Sequence, residues 1–321
     1  MRKLRSTDHA LSGLLALCVI IYTICCCPIL GAQNASPEDS ATSSVTLTDI
    51  LPDSGSGGEL PGQSPPAGDS DWVHKWLHIV DTTRAKQPHT AAPLITTHVA
   101  LVQQYRFDTQ YQEAGGVWTA NYGSMKGLEI IPNTRMEVQV GIPPYISHQA
   151  ASLPDGFGDV SVLLKFRAFS ATEGEGDYFV GFFLGGSFPS GTPPAGLGHS
   201  VWTPMIAASK GWGNFDIQST LGGTLPGSGT NVLGRQVVFN NTAQYHLGRP
   251  HLWPEMEANS TFFVVGPHAG ESQLFLTPGL LVGPFELVGR LHFTFGGGIQ
   301  IAATQFHLYQ RRWIWSARFP F

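Results

Sequence analysis

Beyond residue 32 this chain of 321 residues contains no cysteine. All four of its cysteines, Cys18, Cys25, Cys26 and Cys27, lie near the N-terminus. If the chain is cut after Ala32, disulfides and thiolate metal sites are excluded from the mature protein. No later segment approaches the ~20 apolar residues of a membrane-spanning helix. Charge is sparse, at 13% of residues, and the net value of −5 becomes about −7 once residues 1–32, with Arg2, Lys3, Arg5 and Asp8, are removed. That balance argues against nucleic acid as a partner. There is no Gly-x-Ser-x-Gly, no His-Glu-x-x-His and no phosphate loop, so no catalytic residue, metal or cofactor is expected.

What the chain does have begins at its C-terminal end. Trp313, Trp315, Ala317, Phe319 and Phe321 alternate with Ile314, Ser316, Arg318 and Pro320. Strict period 2 is a strand pattern, and rings lined up on one face need an apolar solvent. Lipid would serve. A terminal strand ending on an aromatic resembles the closing strand of bacterial outer-membrane barrels, and the resemblance implies that Trp313, Trp315, Phe319 and Phe321 are read by the barrel assembly machinery. Phe321 is expected at the periplasmic rim. At the other end Arg2, Lys3 and Arg5 precede the apolar stretch Leu11–Leu30, and Leu30-Gly31-Ala32 reads as a cleavage site. A secretory signal peptide over 1–32 is expected, with an uncleaved anchor or a lipoprotein as alternatives.

Residues 33–70, rich in Ser, Gly, Pro, Asp and Thr, are expected to be disordered. Over 71–93, Trp72, Trp76, Leu77, Ile79 and Val80 fall at helical spacing in Asp71–Lys86. The pattern suggests a short amphipathic helix and linker, lying against the membrane or the periplasmic mouth. His74 and His78 are four apart on it, the spacing of a two-histidine metal face, but no third ligand is suggested nearby.

From Leu94 to Phe321 the alternation is sustained. Met136, Val138, Val140 and Ile142 oppose Arg135, Glu137, Gln139 and Gly141; Val160, Val162, Leu164 and Phe166 oppose Asp159, Ser161, Leu163, Lys165 and Arg167. Phe215, Ile217 and Leu221, then Val237 and Tyr245, then Met256 and Phe262, continue the series, and the longest run extends from Phe285 to Ile301. Period 2 sends the two sets to opposite faces of a sheet. Breaks such as Pro132-Asn133-Thr134, Gly174-Glu175-Gly176-Asp177, Pro189–Gly198 and Pro226-Gly227-Ser228-Gly229 are turn-like. The expected fold is all-β: an antiparallel transmembrane β-barrel of about 12 strands over 94–321, in the bacterial outer membrane. A secreted sandwich or jelly roll is the rival.

With apolar residues toward lipid, the polar set faces the lumen. Arg135, Glu137, Asp159, Lys165, Arg167, Glu255, Glu257, Glu286, Arg290 and His292 are the candidates, either as a salt-bridged ladder that fills the lumen or as a constriction that selects solutes. Asp159 is expected to anchor a periplasmic turn.

Gly156-Phe157-Gly158-Asp159-Val160-Ser161-Val162-Leu163-Leu164-Lys165-Phe166-Arg167 resembles the Gly-x-Gly-Asp strand, ending in Lys-aromatic-Arg, of a family of outer-membrane transporters named after the meta-pathway of phenol degradation. Phe188-Pro189-Ser190-Gly191-Thr192, Trp253-Pro254-Glu255-Met256-Glu257 and Leu274–Leu280 extend the resemblance over about 125–321. It implies a barrel passing hydrophobic or aromatic compounds. The expected function is passive passage of small solutes through an outer-membrane channel, with outer-membrane lipid, the assembly machinery and small-molecule solutes as partners. A structural barrel with a packed lumen, or a lipid hydrolase with an outward Ser–His pair, are the alternatives.

Overall fold

The computed structural model describes residues 70–321 apart from 151, 249 and 250; the expected signal peptide and the expected disorder up to residue 69 lie outside the described residues. The strands are β1 (Gln104–Ala114), β2 (Val117–Gly123), β3 (Gly127–Asn133), β4 (Met136–Gly141), β5 (Tyr145–His148), β6 (Gly156–Phe157), β7 (Val160–Ala171) and β8 (Tyr178–Phe188). They continue with β9 (Val201–Trp212), β10 (Phe215–Pro226), β11 (Arg235–Tyr245), β12 (Leu252–Val265), β13 (Ser272–Val288), β14 (Leu291–Ala302) and β15 (Arg311–Pro320). Each pairs antiparallel with its neighbours, and β15 returns to β1 from Gln104↔Pro320 to Glu113↔Arg311. The return of β15 to β1 closes the ladder into a barrel.

Three of the barrel's twelve staves are broken in two. β1 pairs with β2 along most of its length and with β3 at Gln104 and Tyr105, so β2 and β3 form one stave. By the same reading β4 continues into β5, and β6 into β7. The breaks are adjacent: Ile142 N donates to Lys126 O at 3.0 Å and Gly158 N to Pro144 O at 2.7 Å. Pro143 and Pro144 have no N–H for a ladder. Ser124 and Met125, at φ 48° and 57°, turn the chain out of strand geometry. The other strands run mostly 10–12 residues without interruption, the length a tilted span requires.

The side chains sort by parity. Along β8, Phe182 and Leu184 are exposed outward while Phe179 and Phe183 are buried inward. The outer face carries Phe107, Leu164, Phe166, Phe182, Ile206 and Met256, among other exposed large apolar residues. A water-soluble protein does not leave such a continuous apolar surface uncovered; a surface of this kind suits an apolar surrounding. Trp313 and Trp315 belong to this face. Phe319 packs half-buried between Tyr105 and Phe293.

The rim where Gln104 meets Pro320 is called the near rim, the opposite one the far rim. A short helix, α2 (Thr230–Leu233), decorates the β10–β11 connection at the far rim. The N-terminal helix α1 (Ser70–Arg84) starts with Asp71 in its first turn and ends with Arg84 in its last, charges that suit the helix dipole. Trp76, Val80 and Thr83, at i, i+4 and i+7, face the barrel, and Trp76 Nε1 donates to Ile131 O at 2.9 Å. His74, His78 and Asp81 lie on its exposed side. The helix therefore sits at the near mouth.

The barrel itself starts at Gln104 rather than Leu94. Leu94–Gln103 carries enough apolar residues to resemble a strand, but it is a non-strand segment buried inside the barrel. Its apolar side chains are covered by lumen walls, not by lipid.

Candidate functional site: a lumen filled by its own N-terminal segment

After α1 the chain turns at the near rim, where Ala85, Lys86 and His89 are exposed, and is buried or half-buried inside the lumen from Thr90 to Gln103. Pro88 and Pro93 keep it from helix or strand geometry. A backbone without ladder partners, buried in a barrel, must find hydrogen bonds elsewhere, and inward side chains of the wall supply them. Glu257 accepts from Ile95 N at 2.7 Å with one carboxylate oxygen and from Thr96 N at 2.6 Å with the other. Glu255 Oε1 accepts from Leu94 N at 3.1 Å, and Glu137 Oε2 from Val102 N at 2.6 Å. Cationic and amide donors take the carbonyls. Arg318 donates to Ala92 O and, at 3.0 Å, to Pro93 O; Arg106 Nη2 donates to Leu94 O at 2.8 Å. Gln218 Nε2 donates to Ala91 O at 2.7 Å. Within the segment Gln87 pairs with both backbone groups of Leu101, Nε2 to O at 2.6 Å and Oε1 from N at 3.1 Å, closing it into a loop.

The wall charges that hold the segment are themselves paired. Lys165 Nζ lies 2.7 Å from Glu137 Oε1 and 4.0 Å from Glu129 Oε2, and Arg106 is bidentate on Asp108, with a closest approach of 2.7 Å. Gln244 Nε2 donates to Glu255 Oε2 at 2.7 Å. Buried charges at these positions are tolerable only because each has an opposite charge or several hydrogen-bond partners around it, donors for Glu257 and acceptors for Arg318.

Apolar contacts complete the fit. Val80, Val99 and Leu101 pack with Ile131, Phe179, Phe183 and Ala207 in one cluster. Leu94 packs with Leu281 and Ile314 in another. The second cluster explains two glycines. A Cβ on Gly279 would stand 2.6 Å from Leu94 Cδ1, and one on Gly298 2.7 Å from the same atom. Their bare backbones form the socket for Leu94. The partners come from β1, β3, β4, β8, β9, β10, β12, β13, β14 and β15, so the segment is held on nearly every side of the near half of the lumen.

Among the residues singled out from sequence, Glu137, Lys165, Glu255 and Glu257 are buried inside the barrel and meet at this segment. Arg167 is also buried, nearer the rim, where Nη1 donates to Thr83 O at 3.0 Å and Nη2 to Thr134 O. It holds the end of α1 against the β3–β4 turn. His292 is half-buried, with Nδ1 2.8 Å from Arg290 O. Asp159 does not anchor a near-rim turn. Its carboxylate accepts from Ser190 N, Gly191 N and Leu197 N at 2.8–3.1 Å, and so pins the long β8–β9 loop at the far rim.

Arg135, Glu286 and Arg290 do not line the lumen; all three are exposed. Alternation gives the face but not the height: Arg135 and Arg290 sit in turns, and Glu286, though paired with His292, lies in the last part of the β13–β14 ladder at the rim. Arg135 is in the β3–β4 turn. Glu286 and Arg290 ride the β13–β14 hairpin beyond register shifts that follow Val282 and Glu286. Arg290 instead reaches Asp81 of α1, Nη1 to Oδ2 at 3.1 Å and Nη2 to Oδ1 at 2.5 Å. Phe321 contributes its backbone: N donates to Gln103 O at 3.2 Å, and O accepts from Arg84 Nη2 at 2.9 Å.

The sequence reading missed Gln87, Arg106, Gln218 and Arg318 as site residues. Arg318 and Gln218 stood on polar faces, but nothing local marked their partners, which lie 225 or more positions away for Arg318 and 119–127 positions away for Gln218's contacts with the segment.

No family model matches the chain and no curated protein matches it, so the family resemblance drawn from Gly156–Arg167 has no second support. Among solved structures the chain is similar to the COG4313 outer membrane channel from Pseudomonas putida F1, at 11% identity over 68% of this chain and 94% of that one, with a TM-score of 0.44. It is also similar to the NanC porin, at 7% identity over 68% of this chain and 98% of that one, with a TM-score of 0.47.

Proposed function

We propose that the protein is a channel of the bacterial outer membrane whose lumen is shut by residues 85–103 and conducts small solutes passively when that segment withdraws. The observation that carries this reading is that the wall does not need the segment. The ladder closes through β1 and β15 on its own, whereas the bonds from the wall to the segment are made by side chains, apart from Phe321 N to Gln103 O at the segment's end. Withdrawal would leave the ladder intact. It would also uncover Ile131, Phe179, Phe183 and Ala207 as an apolar strip beside the mixed charges of Glu137, Lys165, Arg106 and Asp108. A lumen of that kind selects weakly by charge and suits small hydrophobic or aromatic solutes. Trp313, Trp315, Phe319 and Phe321 on the closing strand are the groups we assign to recognition by the assembly machinery.

Planar-bilayer conductance of the purified chain tests the reading. Glu257→Leu removes the acceptor of two adjacent N–H groups and should raise the frequency of openings at least tenfold. Thr96→Cys combined with Asn259→Cys, whose native side chains are 3.5 Å apart, should silence the protein when oxidised and restore it when reduced. A folded barrel that stays silent in every variant, reduced or oxidised, would sink the proposal.

The rival reading as a lipid hydrolase has one observation in its favour. His199 Nδ1 lies 2.8 Å from Ser228 Oγ at the far rim. Among the described residues no carboxylate bonds to this histidine to orient it, as a nucleophile–base pair requires. A fluorophosphonate probe should leave Ser228 unlabelled. Labelling that is lost in His199→Ala would favour the rival.

A further inference from the structure

The wall and the start of the threaded segment enclose a cavity of about 330 Å³ at the near rim. The β7–β8 turn contributes Glu173 and Asp177 to its lining, and β10 contributes Asp216. His89 of the segment and the ring pair His246 and Trp253 line it as well. The lining thus holds three carboxylates, and its only groups able to carry positive charge are the two imidazoles.

Asp177 and Asp216 are set side by side. Asp216 lies directly opposite Gly211 in the β9–β10 ladder. Gly211 has no side chain, and a Cβ built on it would run into the Asp177 carboxylate. That carboxylate therefore takes the place of the missing cross-strand side chain, a position about 5 Å from its neighbour, where like charges are destabilising. Both residues are buried, Asp177 at 8% and Asp216 at 5% exposure. Asp216 Oδ1 accepts a hydrogen bond from a neutral donor, Gln218 Nε2, at 3.3 Å. No hydrogen bond acts on the Asp177 carboxyl, which lies in the turn beyond the strands. Burial and then Glu173 push its value above the ordinary 3.8, and Lys210 and His89 pull less strongly against them. Lys210 is engaged elsewhere, with Nζ on Gly176 O and 5.7 Å from the centre of the Trp212 ring. Buried carboxylates need partners, and this pair needs a countercharge that the wall does not supply.

We infer that this cavity binds a small organic ammonium ion, its charge held between Asp177 and Asp216 and its apolar part laid against the His246–Trp253 pair. An ammonium group has three donors and no acceptor, and its hydrogen bonds to carboxylates are of the stronger, charge-assisted kind. The ring pair, stacked with centres 4.2 Å apart and planes at 9°, offers the apolar surface. A metal ion suits the cavity less well: among the described residues no three carboxylates or imidazoles converge closely enough to hold one. The volume is at the lower end of the range for small-molecule sites and suits a ligand of on the order of ten heavy atoms. Glu173, exposed at the mouth, raises the local concentration of cations at the entrance. The site rests on the wall's own carboxylates, whatever the barrel conducts.

The test is calorimetric titration of the full chain, in a non-ionic detergent at neutral pH, with 2-phenylethylammonium and with its neutral counterpart 2-phenylethanol. Partition into detergent is common to all variants and cancels. The ammonium ion should bind roughly tenfold or more tightly than the alcohol, as charge-assisted bonds to buried carboxylates imply. Asp216→Asn keeps the acceptor for Gln218, and Asp177→Asn suits the positive φ of 48° at that position. Each should reduce the preference for the ammonium ion roughly fivefold, and the two together should erase it. Glu173→Gln, at an exposed position, should lower the affinity about twofold, and keeps the test open should a buried variant fail to give the heat-modifiable barrel. Equal affinity for ammonium ion and alcohol, or an undiminished preference in all three single variants, would overturn the inference. So would calcium ions that bind more tightly than the ammonium ion and displace it. None of these results bears on conductance, so the channel reading stands or falls separately.

Discussion

The wall and the segment it encloses satisfy their backbones in opposite ways. Along β8–β15 each strand gives its N–H and C=O groups to the next strand, and the side chains are free to face lipid or lumen. Residues 85–103 receive their bonds from the wall's side chains: Glu257, Glu255, Glu137, Arg318, Arg106 and Gln218 stand in for the missing ladder. The first arrangement is cooperative and independent of side-chain identity. The second depends on individual residues, each removable by one substitution. The wall is therefore the robust part, and the seating of the segment is the adjustable part.

The sharpest way to break this contrast is to remove the ring that both parts share. Phe179 is fully buried in the cluster with Val80, Val99 and Leu101. Phe179→Ala should cost about 3–5 kcal/mol, as for other buried rings, and the loss should fall on the segment. Amide exchange at residues 94–102 should accelerate strongly while heat-modifiable migration of the barrel is retained. Loss of the folded barrel itself would show that the two regions are not separable.

Adding an atom sharpens the same comparison. Gly298→Ala places a methyl 2.7 Å from Leu94 Cδ1 and 2.9 Å from Pro278 O. Overpacking of this kind costs about 1–3 kcal/mol. The leucine end can move and the strand carbonyl cannot, so we expect Leu94 to be displaced from its socket. Faster exchange at Leu94–Thr96 should accompany Gly298→Ala, and Leu94→Ala in the same chain should restore the seating. No rescue by the second substitution would assign the strain to the wall.

A smaller effect is expected at the helix. Trp76→Phe keeps the ring and loses the N–H bond to Ile131 O. It should reduce docking of α1 by about 1 kcal/mol, read as increased protease cleavage near residues 84–88.

The contrast also explains what could be read from the sequence. Lipid and lumen impose a two-residue period, so the faces of β7 and β15 were legible, with Lys165 inward and Trp315 outward. Height along the barrel leaves no such trace, and Arg135, Glu286 and Arg290 were placed too deep for that reason. The barrel expected over 94–321 takes in Leu94–Gln103, which is no strand. Only its partners reveal this, and Glu257, which holds Thr96, is 161 positions away. Gln87, Arg106, Gln218 and Arg318 are ordinary polar residues until the barrel closes around them.

The mildest perturbation concerns the clasp outside the lumen, where solvent weakens every charge. Asp81 and Arg290 form a two-bond pair, with side chains 54% and 42% exposed. The hydrogen bonds from Arg290 hold the Asp81 carboxyl below the usual aspartate value of 3.8, against a small opposing effect of burial, and Arg84 and His78 add weaker attraction. A carboxyl whose value is lower in the folded state contributes stability that is fully present above its unfolded value. That contribution is lost as pH falls through the lowered value. Docking of α1 should therefore not change with pH near neutrality, where the clasp contributes in full, and should weaken only in acid, below about pH 4. At this exposure the pair is worth no more than about 1 kcal/mol and should be screened by salt. Arg290→Gln should return Asp81 toward its ordinary value, and should abolish the acid-dependent part of α1 docking followed by exchange at residues 76–84. An acid transition of the same size and midpoint in Arg290→Gln would move the pH dependence away from the clasp and into the lumen carboxylates.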